Sequence, residues 1–538
     1  MEAEDDVSHS ANVWTGLRIL FVTLVLCRGL VVACALPPFE AWDEYQHVGY
    51  VQHVAETGRA AILHETNVPD SLLKALPDYP QSPGALEHVA RYGVLDYATF
   101  WSNGPGRRWS PGDGPIEPLP LYEAQHGPSY YRLVAPIYKL AGGVDDLKSS
   151  VAVLRLLNLL MIAGAVWLAL GAVGRLVPDV RFAALFGFLI ATQPLFLMNG
   201  VRVANDALGV LLATAVVTRG LALSEGPFLR RSIALGLLTG LAVLAKSVNL
   251  GLAPFVAFCW LVASYQRRAP LTRALTSAMA VAVASLVVCG PELVSNLFRY
   301  GAVTPMVEAM QNRKNGLTVH DLLQTAQGMG WLAKFNGLWL YDNQCTIGWS
   351  FFHPRLRLVV KYHELATLCL MGWGWLAFAW TRPRPAVFRS RAVPAACLVL
   401  CVSFTTALAY HMVQSKLARG TSMTNTWYAA ATLPWFLLLV GGGGLNWPFA
   451  RLRPILPLML AANFVTAELT TIWGRLIPTC TGGATGWGAL QRLAELQPAF
   501  LGSTTLLAAT ATEFIVLATA VVVWGGSVVR VERTKHHE

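Results

Sequence analysis

Leu36 to Gly58 read L-P-P-F-E-A-W-D-E-Y-Q-H-V-G-Y-V-Q-H-V-A-E-T-G, directly after the first long apolar run of the chain. Pro37 and Pro38 stop a helix, and neither Pro nor Gly follows until Gly49, so a second helix is expected from near Glu40. The adjacent carboxylates Asp43 and Glu44 then stand at a membrane surface. Asp43 and His47, four residues apart, share one face of that helix. Acids in a first helical turn also complement the helix dipole, so the pair reads equally well as a structural feature or as a catalytic one.

Working outward, the chain is 54% hydrophobic and only 13% charged over 538 residues, with apolar runs longer than a soluble core needs. It is expected to be an all-α polytopic membrane protein. The net charge of +10 does not point to nucleic acid, because the basic residues fall in short clusters between apolar runs, where topology accounts for them. Most of the nine cysteines lie in or beside apolar runs without zinc-like spacing. Cys345 and Cys480 fall in polar loops, and the sequence leaves open a disulfide between them, which needs an oxidising compartment and loops that fold over one another.

Residues 1–14 form a short acidic head, expected to be disordered and cytoplasmic. The first span covers about 16–36, contains Arg28, and reads as a retained signal anchor. Residues 37–148 are too polar to span and form the largest extramembrane piece. Further spans are expected near 151–174, 182–200, 207–223, 232–247, 249–265, 274–292, 363–380, 392–411, 428–446, 455–473 and 504–526, about twelve in all. Arg clusters recur in every second connection, from Arg175 and Arg181 to Arg530 and Arg533. That alternation puts those connections and both termini in the cytoplasm, with 37–148, 293–362, 412–427 and 474–503 on the opposite face.

Polar chemistry is therefore expected on the outer face. N-G-V-R-V-A-N-D at 199–206 brings Arg202, Asn205 and Asp206; a hairpin brings Lys246 and Asn249; P-E-L-V-S-N-L-F-R-Y-G at 291–301 brings Arg299. A transporter more often places ionisable groups near mid-membrane and shows an internal repeat, and none is visible. A Rossmann or P-loop fingerprint is also absent, which argues against a nucleotide-sugar or ATP user.

The acidic pair followed by H-V-G-Y-V-Q-H-V-A-E-T-G resembles the first-loop motif of GT-C superfamily glycosyltransferases. Q-H-G-P-S-Y-Y-R-L-V-A-P-I-Y at 125–138 is similar to a Q-P-P-L-Y-Y segment in a bacterial branch of that superfamily, with His126 where the branch carries Pro. R-L-L-N at 155–158, V-A-N-D at 203–206, G-L-L-T-G-L-A-V-L-A-K-S at 236–247 and the 291–301 segment follow in order. The resemblance covers about 15–305, the expected catalytic module; 306–362 is a second outer loop, 363–526 a C-terminal transmembrane module and 527–538 a cytoplasmic tail.

The resemblance implies a GT-C-like fold in a bacterial inner or plasma membrane. It further implies inverting transfer of a sugar from a polyprenyl-phosphate donor to a glycan, lipid or protein acceptor at the extracytoplasmic face. In that reading Asp43 is the general base and Glu44 its neighbour or substitute. Lys246, Arg202 and Arg299 are the cations for the leaving phosphate, with His47 and Asp206 also in the substrate site. A divalent ion between Asp43, Glu44 and Asp206 is possible if the fold joins them. Each residue also has a plainer role: Arg202 and Arg299 as interfacial anchors, Asp206 as a helix cap, His47 as a packing residue. The aromatic stretch 330–354 suits an interfacial belt or re-entrant helix as well as a sugar-stacking surface, and Lys416 and Arg419 are further phosphate candidates. The alternatives to an enzyme are a polytopic transporter or flippase, and a non-catalytic membrane subunit of the same architecture.

Overall fold

The computed structural model describes residues 2–106, 109, 114–226, 228–330, 352, 354–378, 387–420 and 426–537. Among the described residues the secondary structure is helical, and strand-like pairing consists of two isolated bridges, Asn67 with Pro120 and Gln81 with Asp96. Nine described helices are long and apolar enough to cross a membrane. The other expected spans fall on Val180–Thr192 with Leu195–Gly200, on Asp206–Leu221, and on Leu356–Phe378.

The expected span at 182–200 is broken, and its breakage has a cause in the sequence. Pro194 has no amide hydrogen and forces Gln193 into an extended conformation, so the helix ends at Thr192. Backbone carbonyls freed at that depth need donors. Arg28 supplies them, donating to the carbonyls of Ala191 and Thr192. Its charge is met by Glu468, with Glu513 3.8 Å away, and all three side chains are buried. Arg28 thus belongs in the first span because it ties that span to the helices Leu452–Thr471 and Ser503–His537. This places a second charged cluster inside the spans, whereas the sequence led us to expect polar chemistry only at the outer face.

Tight helix packing relies on small residues where backbones meet. Phe228–Ala245 lies against Leu271–Tyr300 so closely that a methyl on Gly236 would sit 2.4 Å from the Val281 carbonyl oxygen. The latter helix runs on to Tyr300 and stops at Gly301, whose φ is 65°. The segment 291–301 is therefore the end of a continuous helix, where a loop was expected: Pro291 is accommodated inside it.

The described residues between 37 and 146 fold into a compact cap of short helices with a core of its own. Phe39, Tyr45, Val48, Tyr50, Leu72, Tyr130, Tyr131 and Val134 are buried together, joined by Leu154 from the helix Leu147–Leu176 and by Val203 from the bend before Asp206–Leu221. Sharing Leu154 and Val203 fixes the cap on the spans beneath it.

Candidate active site

The second helix begins at Glu44, not near Glu40, because residues 37–43 are consumed by tight turns. Phe39 and Asp43 both adopt left-handed backbone conformations, with φ of 67° and 56°. Asp43 stands at the N-cap, and its carbonyl accepts the amides of Gln46 and His47 at 2.9 and 3.0 Å. Its carboxylate makes no capping bond. Instead it accepts the phenol hydroxyl of Tyr122. The dipole-capping role is thus left to the backbone, and the side chain is turned to the cap.

Glu44 does the opposite. It is fully buried, receives Arg155 at 2.8 and 2.5 Å, and accepts the amides of Phe39 at 2.9 Å and Val203 at 3.0 Å. Its oxygens are saturated, which leaves it no lone pair to offer a substrate proton. Arg155 also holds the carbonyls of Leu36 and Pro37. One ion pair therefore fastens the end of the first span, the first turn of the second helix and the segment carrying Arg202 and Asp206.

The motifs at 155–158, 203–206 and 236–247 meet here. Asn158 donates to the carbonyls of Arg202 and Ala204 and accepts the Tyr130 hydroxyl at 3.0 Å. Arg202 donates to the carbonyl of Trp42 at 2.7 Å and to Asp206 at 2.8 Å. Lys246 pairs with the other oxygen of Asp206, and its ammonium lies 5.1 Å from the Tyr428 ring. Asp206 is the first residue of its helix, but its carboxylate faces these cations rather than capping. Lys246 is placed by a break between helices, where Asn249 donates to the carbonyls of Gly209 and Ala242.

His47 packs beneath Asp43. Its Nδ1 lies 2.9 Å from the Tyr131 hydroxyl, and its Nε2 lies 3.7 Å from Glu123. Glu123 is also 3.0 Å from His126. The sequence reading did not include Tyr122, Glu123, Tyr131, Arg155 or Tyr428 as site residues. A usable signal was present: Y-E stands just ahead of the quoted Q-H-G-P segment, so the turn at 122–125 sets Glu123 three residues before His126.

Electrostatics separate the acids. Burial, then the neighbouring Glu123, raise the Asp43 carboxyl to about 6, against the lowering by Tyr122, Arg202 and His126. Burial would raise Glu123 as well, but His47 and His126 outweigh it and hold that group below the usual carboxylate range. Burial lowers His47 to about 4, more than Glu123 lifts it. Asp43, Tyr122 and His126 are the partly exposed members, while Glu44, His47, Glu123, Arg202, Asp206 and Lys246 are buried. The arrangement is a closed network with one carboxylate of near-neutral affinity at its mouth.

Arg299 is not brought into this network: it is exposed at its helix end, 5.9 Å from the Tyr300 ring. Lys416 and Arg419 lie elsewhere too, with Arg419 2.8 Å from Glu308 and Lys416 bonded to the Gly420 carbonyl. The acids of the expected ion site are already engaged with cations. Glu44 is taken by Arg155 and Asp206 by two cations, and no group of three or more His, Cys, Asp or Glu among the described residues is placed to hold a metal. Cys480 is buried, and Cys345 lies outside the described residues, as does most of the aromatic stretch 330–354.

No family model matches the chain, and no curated protein does. Among solved structures it is similar to ArnT from Cupriavidus metallidurans bound to undecaprenyl phosphate, at 15% identity and a TM-score of 0.46, over 96% of this chain and 78% of that one. It is also similar to ArnT in the apo state, at 15% identity and a TM-score of 0.33, over 80% of this chain and 77% of that one.

Proposed function

We propose that the chain is a membrane glycosyltransferase that moves a sugar from a polyprenyl-phosphate donor to an acceptor hydroxyl, with Asp43 as general base. One observation carries this reading: a partly exposed carboxylate raised to about 6 stands at the edge of a buried network beside two cations that share one acid. A base of that affinity is ionised near neutral pH and still accepts a proton readily. Asp43 takes the acceptor's proton as its oxygen bonds the anomeric carbon. The bond from that carbon to the phosphate oxygen breaks, and the lipid phosphate leaves with the electron pair.

Arg202 and Lys246 share the single carboxylate of Asp206, with Asp43 and Glu123 also acting on Arg202, and these two cations are the groups assigned to meet the leaving phosphate. Glu44 and Arg155 are positioning residues: they hold the turn that aims Asp43. Donor class and direction of transfer rest on the motif resemblance in residues 15–305. The buried Arg28, Glu468 and Glu513 favour a transporter as the second reading, since ionisable groups inside spans often mark a transport path.

The test is a transfer assay on purified protein with a panel of polyprenyl-phosphate sugars, comparing wild type with Asp43→Asn. The expected result is turnover in the wild type and its loss in a variant that still binds donor. Full transfer by a well-folded Asp43→Asn protein would refute the assignment. Movement of solute or lipid without chemical transfer would favour the transporter.

A further inference from the structure

At the far end of the helices from Asp43, two cavities adjoin through a common residue, Arg175. The first, of about 510 Å³, lies between the helices Glu2–Ala35, Leu147–Leu176 and Asp206–Leu221, and is lined by Trp14, Arg18, Arg175, Thr218 and Arg219. The second, of about 330 Å³, has Arg175 and Arg389 at its rim and Phe258, Val262 and Val393 on its walls. Asn158 belongs to the outer site and Arg175 lies 17 residues further along the same helix, roughly 25 Å away.

Three observations set these cavities apart from ordinary basic ends of spans. Arg18 lies several residues inside the first span, stacked 3.5 Å over the Trp167 ring and donating to the Trp167 carbonyl at 2.8 Å. The space it occupies is made by Gly171, where an added methyl would meet the guanidinium at 2.9 Å. A guanidinium placed so far into a span is costly without an anion, and the carbonyl it grips carries no net charge. Second, no carboxylate lines the first cavity, although three arginines from three helices do. One carboxylate, Glu225, lines the second cavity against Arg175 and Arg389; it is half exposed, 3.7 Å from Arg175, and lies beside Arg231 as well. Third, the Thr218 hydroxyl is buried with no partner and lines the same space. Ordinary positive-inside asymmetry asks only for arginines in water beyond the spans. It does not ask for one stacked within a span beside an open, apolar-walled cavity.

We infer that this cavity pair binds one anionic glycerophospholipid. Its phosphate sits between Arg18, Arg175 and Arg219, and an acyl chain lies along the apolar walls beside Phe258 and Val393. The charge excess selects an anionic headgroup over a zwitterionic one, and the apolar walls select a lipid over a free anion. The site is independent of the proposed sugar transfer, which takes place at the opposite end of the bundle.

Native mass spectrometry of the full chain released from detergent tests it, with phosphatidylglycerol, phosphatidylcholine or inorganic phosphate added at matched concentration. Phosphatidylglycerol adducts are expected at least about tenfold more readily than phosphatidylcholine adducts. That preference should fall in Arg175→Gln and in Arg219→Gln, while Arg268→Gln, an exposed arginine outside both cavities, keeps it. Arg219→Gln guards against misfolding, since Arg219 is exposed. Equal uptake of the two lipids, an equal loss in Arg268→Gln, or displacement of phosphatidylglycerol by equimolar inorganic phosphate would each overturn the inference.

Discussion

Two buried charge clusters share this molecule, and they differ in access rather than in composition. Around Arg28, two carboxylates meet one guanidinium, and all are sealed among spans. Around Asp43, carboxylates, histidines and cations form a comparable network, but Asp43, Tyr122 and His126 reach its surface. In both clusters guanidinium groups are spent on backbone carbonyls, Arg28 on those of a broken helix and Arg155 and Arg202 on those of residues 36, 37 and 42, but only in the second is a carboxylate left partly exposed and facing the cap. Burial of charge therefore does not identify a reactive centre. A reactive centre needs a member that the surrounding structure does not already use.

The largest expected effect sharpens that distinction. Asp43→Asn should lower the transfer rate by about a hundred- to ten-thousand-fold while leaving the thermal midpoint in detergent close to wild type. Arg28→Leu should do the reverse: it leaves two uncompensated acids and two unsatisfied carbonyls, and a loss on the order of 3–5 kcal/mol in stability is expected, read from thermal unfolding. Whatever fraction folds should keep its specific activity. A normal midpoint together with lost turnover in Arg28→Leu would break the comparison and move the interior cluster into the reaction path.

Glu44→Gln tests the same contrast between neighbours in sequence. It unpairs the buried Arg155, so the yield of folded protein should fall by an amount corresponding to about 1–3 kcal/mol. Equal losses of specific activity in Glu44→Gln and Asp43→Asn, with both proteins stable, would mean that the two acids act as one unit. Lys246→Ala should weaken donor binding about tenfold while Asp43→Asn leaves it intact, as measured by competition with a labelled polyprenyl phosphate.

The smallest effect is on pH. Because Asp43 is raised to about 6, transfer should fall as pH drops through 6 and level off above it. The Tyr122 hydroxyl favours the carboxylate, so Tyr122→Phe removes that help and should move the acid limb upward. An unmoved limb would detach Tyr122 from the base.

The membrane character was legible because apolar run length is a local property of the chain, whereas the break at Pro194 and the helix running through Pro291 to Tyr300 were not. The candidate site was partly legible: Asp43, His47, Arg202, Asp206 and Lys246 converge, since their motifs each sit near the end of a helix. Glu44 could not be told from Asp43, because their opposite surroundings are set by the backbone turn at 43 and by Arg155, 111 residues away. Arg299 misled for the reverse reason, since Pro291 gave no sign that the helix would continue through it. Arg28 looked like a blemish in the first span. Its partners come from the far end of the chain, which no local pattern announces.

The positive φ of Asp43 makes position 43 a filter on heredity as well as a feature of geometry. Any codon change there meets a backbone test before a chemical one. Asn tolerates the left-handed conformation, and Gly is at ease in it. Glutamate keeps the acid but has neither Asn's short local hydrogen bonding nor Gly's freedom, and its extra methylene displaces the carboxylate from the reach of Tyr122. A saturation library at this codon should therefore sort by shape first: foldable but silent variants will cluster at Asn and Gly, and retention of a negative charge will not by itself rescue turnover.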